Sequence, residues 1–236
     1  MRRLLIALVV LLGLLVAADR IGAVVAERVM ASQIRDQLEL QETPDVGIRG
    51  VPFLTQAVRG RYSDVRVTLP DVDSGRLQDM VVDARLQGVR VPLGDVLDRQ
   101  VEEVPVDRIT GNVTVGYDQL ARASGISGLR IARDGDAVTL SGSVEVLGRQ
   151  VEASATGRVE VNGDDLVISA DRAEVAGVEV PDVALDAAAR LLSFQVSPSR
   201  LPLSLRITGV EVTDTGLQVS AVSDDAVLRP EDVPVN

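Results

Sequence analysis

The chain has 236 residues, 46% of them hydrophobic and 25% charged, with a formal net charge of −11. That is ample for an aliphatic core and too acidic for non-specific binding of nucleic acid. Histidine and cysteine are both absent, which excludes disulfides, thiolate or imidazole metal sites and His-dependent hydrolytic triads.

Met1-Arg2-Arg3 opens an unbroken apolar run from Leu4 to Ala18, closed by the small residues Val16-Ala17-Ala18. A charged start, a short apolar middle and a small-residue exit describe an export signal over residues 1–18. At roughly 15 residues the run is shorter than the ~20 that cross a bilayer as a helix. Removal after export is therefore the first reading. Retention as a membrane anchor is the second, because apolar residues resume at Ile21-Gly-Ala-Val-Val-Ala26. Residues 19–236 are read as one domain.

From Asp19 to Glu42 the apolar positions Ile21, Val25, Val29 and Met30, Ile34, Leu38 step by four, which predicts one long helix ended by Thr43-Pro44. An amphipathic helix of this kind packs on a sheet far more often than on a membrane.

The segment Asp45–Val67 concentrates two of the rare aromatics, Phe53 and Tyr62, around Pro52 and carries Arg49, Arg59, Arg61 and Arg66 against the single internal acid Asp64. An apolar knuckle followed by arginines suits an anionic amphiphile, since guanidinium forks match phosphate. Phe53, Leu54, Val58 and Tyr62 are candidate lipid contacts, and Arg49, Arg59 and Arg61 are candidate head-group contacts. Arg66 falls on a polar strand face and reads as solvated. The competing reading is a loop leading into a half-buried strand.

Period-two alternation then dominates. Val65, Val67 and Leu69 alternate with Arg66 and Thr68, and the pattern recurs over 138–146 and 151–161. Further strands are expected at 80–91, 104–116, 126–133, 165–171, 174–180, 203–213 and 216–222, with turns at Gly148-Arg149 and Asn162-Gly163-Asp164. Strict alternation with one polar face marks antiparallel strands that are wet on one side. Short helices are expected at Tyr117–Ser124 and Pro181–Leu192, with Pro198 stopping regular structure. The order of elements is that of an α+β fold. Met80 and Phe194 read first as core residues and second as lining of a lipid cavity. Small inner-face residues such as Ala153, Ala155 and Gly157 permit either close packing or a channel.

The acid pairs Asp71/Asp73, Asp134/Asp136, Asp164/Asp165 and Asp224/Asp225 sit in turn-like contexts and do not follow calcium-loop spacing. Glu102-Glu103 lacks the sugar-stacking aromatics of a glycosidase cleft. No catalytic residue, metal ligand or cofactor is expected.

Ala18-Asp19-Arg20, Val51-Pro-Phe-Leu-Thr-Gln56, Gly60-Arg-Tyr62 and Val104-Pro-Val-Asp-Arg-Ile-Thr-Gly111 leading to Val113-Thr-Val-Gly-Tyr117 together resemble an actinobacterial cell-envelope family that includes lipomannan elongation factor A. The resemblance runs over nearly the whole chain after the signal, and Pro-Phe-Leu-Thr-Gln is its sharpest element. It implies an exported phospholipid-binding protein of the periplasm or envelope, without enzymatic activity. Membrane contact and envelope-biosynthesis enzymes as partners are expected with it. It further implies a long N-terminal helix wrapped by a highly curved antiparallel sheet that encloses an apolar cavity, as in one lobe of tubular lipid-binding proteins. A sheet packed solid would instead suit a structural or adaptor protein of the envelope.

Overall fold

The computed structural model describes residues 2–37, 40–74, 77–92, 94–95, 101, 103–146, 149–163, 165–175, 182–196 and 205–229. Most of the expected strand 174–180 lies outside the described residues, as do Gly148, Asp164, Glu102 and Pro198.

Helix α1 (Arg2–Gln37) is continuous through the apolar run and the amphipathic stretch. It therefore starts well before Asp19 and ends short of the expected Glu42. At 1.5 Å per residue its 36 residues extend about 54 Å. Every residue from Arg2 to Ala18 is exposed, whereas Asp19, Ala23 and Ala31 are buried against the rest of the chain.

Strand β1 (Asp45–Arg49) follows, then a short helix α2 (Phe53–Arg59) where the sequence suggested only a knuckle. Three long strands come next: β2 (Arg61–Ser74), β3 (Leu77–Arg90) and β4 (Val104–Gly116). Helix α3 (Tyr117–Ala123) leads to β5 (Arg130–Asp134), β6 (Ala137–Val146), β7 (Arg149–Asn162) and β8 (Asp165–Val175). The expected strand at 126–133 starts four residues late, because 126–129 form a turn. Helix α4 (Asp182–Leu192), β9 (Phe194–Val196), β10 (Arg206–Val212) and β11 (Gly216–Leu228) complete the described chain.

The fold is α+β, with antiparallel strands in two sheets instead of one. The first has the order β1-β2-β3-β4-β11-β10 and the second β5-β6-β7-β8-β9. Alternation alone does not report where pairing passes from one sheet to another, because both sheets have the same period.

Two apolar cores sit at opposite ends of the first sheet. At one end Val46, Val65, Val89, Val106, Ile109 and Ala226 receive the second half of α1 through Met30, Ala31 and Ile34. At the other end Met80, Val115 and Leu217 meet Leu140, Ala155 and Ile168 of the second sheet together with Leu120 of α3 and Leu192 of α4. The sheet thus covers only the second half of α1. The outer face of the first sheet is polar: Thr68 donates to Asp83 at 2.7 Å, and Ser220 donates to Asn112 at 2.8 Å.

Candidate functional site

The sharpest element of the resemblance folds into α2, and α1 holds it in place. Pro52 occupies the N-cap position and makes no side-chain cap hydrogen bond. The orphan N–H groups of a helix start need an acceptor. It comes from α1, where Asp19 Oδ1 accepts from the Leu54 N–H at 2.8 Å. One helical stretch further, Glu27 Oε1 accepts from the Ile48 N–H of the edge strand β1, also at 2.8 Å. Gln56 completes the fastening, its Oε1 accepting from the Ser63 N–H at 2.9 Å. The segments 18–20 and 51–56, far apart in sequence, are therefore one structural unit.

The C-terminal end of α2 depends on glycine. Gly60 lies in the left-handed region with φ +61°, and a Cβ there would stand 2.8 Å from Pro92 Cα and the Val91 carbonyl oxygen. Its own carbonyl accepts from the Val91 N–H at 2.9 Å, tying the knuckle to the end of β3.

The sequence grouped Phe53 and Leu54 as candidate lipid contacts of one knuckle, against a reading in which they are buried. The structure separates them. Phe53 is only 7% exposed and packs on Ala23 and Ile48, its ring centroid 6.3 Å from that of Tyr62. Tyr62 is half-buried, and burial pushes its phenol above the usual value. The outward apolar residues are Val51, Leu54 and Val58, at 75%, 41% and 76% exposure. Phe53 is the buried anchor of the knuckle and not its tip, because Gly22 and Ala23 leave a recess on α1 just where the ring lands.

The candidate head-group arginines fall in two places. Arg49 stands opposite Asp64 in the β1–β2 register, and Arg66 stands opposite Arg85 in the β2–β3 register, all on the outer face. Arg85 grips Asp64 with two 2.9 Å hydrogen bonds. That fork is the main reason the Asp64 carboxyl is held below its ordinary range; burial opposes it, and the charges of Arg85, Arg66 and Arg49 add to it. Three guanidinium groups around one carboxylate leave a cationic surplus in an acidic protein. Arg59 and Arg61 flank Gly60 at the end of α2, and Arg61 pairs with Arg90 across β2 and β3. Among the described residues, Arg49, Arg59, Arg61 and Arg66 make no ion pair.

Met80 and Phe194 belong to the core between the sheets, Met80 buried within it and Phe194 packed against it. Met80 is ten positions along β3 from Arg90, about 33 Å at strand rise. The structure does not bring these two residues to the knuckle.

What joins the ends is a face that composition did not reveal. Directly paired residues of an antiparallel sheet share a face. Val67–Ala84–Gly111–Ala221–Ile207 is one such row across five strands, and Leu69–Val82–Val113–Val219–Val210 is the next. All ten positions are part-buried. Leu69, Val82, Ala84, Ala221 and Ile207 belong to neither core, and a Cβ on Gly111 would meet nothing within 4 Å. The second sheet uses small residues differently. A Cβ on Gly157 would come within 3.0 Å of Leu140 and 3.1 Å of Val138, so Ala153, Ala155 and Gly157 serve close packing there. The pairing of Gly111 with Ala84 and Ala221 is set by register across the three strands β3, β4 and β11, which no local pattern displays.

No curated protein and no solved structure matches this chain. A family does match, over residues 17–222, and the match begins at the point where α1 passes from exposed to docked. The aligned region takes in α2, the arginines and the apolar rows, and the chain belongs to the LmeA-like phospholipid-binding family.

Proposed function

We propose that this protein is an exported, non-catalytic carrier that holds a phospholipid or a lipid-linked precursor and delivers or withholds it during cell-envelope assembly. The observation that carries this reading is the part-buried apolar face centred on Gly111, running between the two cores of the first sheet. An acyl chain gains about 0.8 kcal/mol per shielded methylene, so a fourteen-carbon tail needs a surface offering about 11 kcal/mol. The rows of Val, Leu, Ala and Ile offer such a surface as one side of an apolar cavity, and α1 closes its knuckle end.

In this reading tails enter beside α2, pass Tyr62 and run toward Met80 and Phe194, while Arg59 and Arg61 hold the phosphate at the rim. Arg49, on the outer face beside Arg66, meets phosphates of the membrane from which the lipid is drawn. Phe53 acts indirectly, by fixing the entrance. The site lies in the periplasm or envelope, and envelope-biosynthesis enzymes are the candidate recipients.

The test is gentle purification followed by native mass spectrometry and organic extraction. Phospholipid should leave with the protein in near-stoichiometric amount. Protein that is lipid-free by both methods, and that takes up no lipid from vesicles, would overturn the carrier role.

A further inference from the structure

We propose that α1 is retained as a membrane anchor after export, and that the surface it docks is seated on a bilayer containing anionic phospholipid. This does not rest on the carrier role.

The first support is mechanical. The small-residue exit Val16-Ala17-Ala18 lies inside an unbroken helix, and the next residue, Asp19, is buried and caps α2. Cleavage after Ala18 would make the turn that carries the cap the new N-terminus. It would also leave Asp19 and Gly22 in the first turn of a new helix, where backbone N–H groups are unsatisfied and ends fray, with Ala23 just beyond that turn. Those three residues hold Leu54 and Phe53. Removing the leader would loosen the knuckle that the fold builds.

The second support is the surface itself. Leu4–Ala18 is sheathed by exposed apolar residues, about 22 Å of helix where a bilayer core is ~30 Å thick. A short span thins the bilayer or recruits flanking apolar groups. Such groups are present. Ile21, Val25 and Val29 repeat every fourth residue on the exposed side of α1, and Val51, Leu54 and Val58 lie outward on the knuckle. Leu54 leans on Gly22, so the two patches meet. Arg20 is positioned to snorkel, Arg59 and Arg61 supply positive charge outside any ion pair among the described residues beside the knuckle, and Arg49 and Arg66 add the cationic surplus around Asp64. Arg2-Arg3 then remain on the cytoplasmic side. An apolar patch rimmed by cations and continuous with the exposed apolar helix Leu4–Ala18 fits an anionic lipid surface.

The full-length chain with a C-terminal tag tests both halves. Mass spectrometry of protein isolated from membranes should show residues N-terminal to Asp19 still attached, in a fraction that resists carbonate extraction. A chain beginning at Asp19 or recovered as soluble protein would overturn retention. For the seating, the absence of cysteine allows one label at a time: Val58→Cys on the knuckle and Arg130→Cys on the exposed edge of the second sheet. In vesicles containing phosphatidylglycerol, spin-labelled lipid should quench a fluorophore at position 58 several times more strongly than one at 130. Equal quenching at the two positions would remove the bilayer from that surface.

Discussion

Asp19 and Leu54, separated by 35 positions in the chain, are joined by a 2.8 Å hydrogen bond that caps one helix with a side chain from another. Because Pro52 makes no side-chain cap bond, α2 depends on α1 for its start. Asp19→Ala removes the acceptor, while Asp19→Asn retains an oxygen in the same place. Amide exchange at Leu54 and Thr55 should quicken by an order of magnitude or more in the alanine variant and by much less in the asparagine variant. Unchanged protection in Asp19→Ala would show that packing of Phe53 alone holds the knuckle.

The burial of Phe53 separates two substitutions that the sequence would treat alike. Phe53→Ala opens a cavity against Ala23, Ile48 and Tyr62 and should lower unfolding stability by about 3–5 kcal/mol. Leu54→Asp changes a residue with two-fifths of its surface exposed and should cost under about 1 kcal/mol. Denaturant titration reads the first. Vesicle co-sedimentation reads the second, where Leu54→Asp should weaken binding severalfold in a protein that melts normally.

Much of this architecture is written locally. The α+β order, strand 104–116 to the residue, and the helix at 117 follow from periodicity and from Gly125 closing the turn beyond it. The polar outer face follows from alternation, which put Arg66 outside. What local pattern cannot supply is partnership across the chain. Asp19 looks like a charged break after an apolar run until Leu54 arrives to use it, and Phe53 reads as either a lipid contact or a buried residue until the recess at Gly22 and Ala23 receives its ring. The division into two sheets and the row through Gly111 are set by register, for the same reason.

Gly111 offers a direct probe of the apolar face. Its Cβ position opens on empty space and its backbone is not left-handed, so a larger residue meets no backbone obstacle. Gly111→Leu should leave the melting temperature unchanged or slightly raised, since glycine is a poor strand residue. The added side chain stands in the row between Ala84 and Ala221 and competes with an acyl tail. Native mass spectrometry should show lipid occupancy falling by at least half. Full occupancy would mean that tails do not cross this row.

Gly60 is the opposite case. There any Cβ is strained by φ +61° and also meets Pro92 and the Val91 carbonyl oxygen at 2.8 Å. Gly60→Ala should destabilise the protein by more than about 1 kcal/mol and release the end of β3 from α2. A melt no lower than that of the parent chain would contradict the tight closure between Gly60 and Val91.

Asp64 sets the charge of the arginine cluster, and its titration has a defined sign. The Arg85 fork holds its carboxyl below the ordinary value of about 3.9, so the ion pair is intact throughout neutral and mildly acidic solution. A depressed folded-state value means the pair's contribution is present above the unfolded value and is lost as pH falls through the lower, folded one. Protonation then leaves Arg49, Arg66 and Arg85 unmatched, which raises the local positive charge while loosening the β2–β3 pairing. Asp64→Asn produces that charge state at neutral pH. Binding to phosphatidylglycerol vesicles should strengthen severalfold in this variant, with most of the gain removed by salt as the Debye length shrinks toward about 3 Å at 1 M. Its binding should also show a smaller rise below pH 4 than the parent chain, measured on vesicles whose own charge persists there. Identical binding by variant and parent at neutral pH and low salt would mean that the Arg49–Arg66–Arg85 cluster does not face the lipid surface.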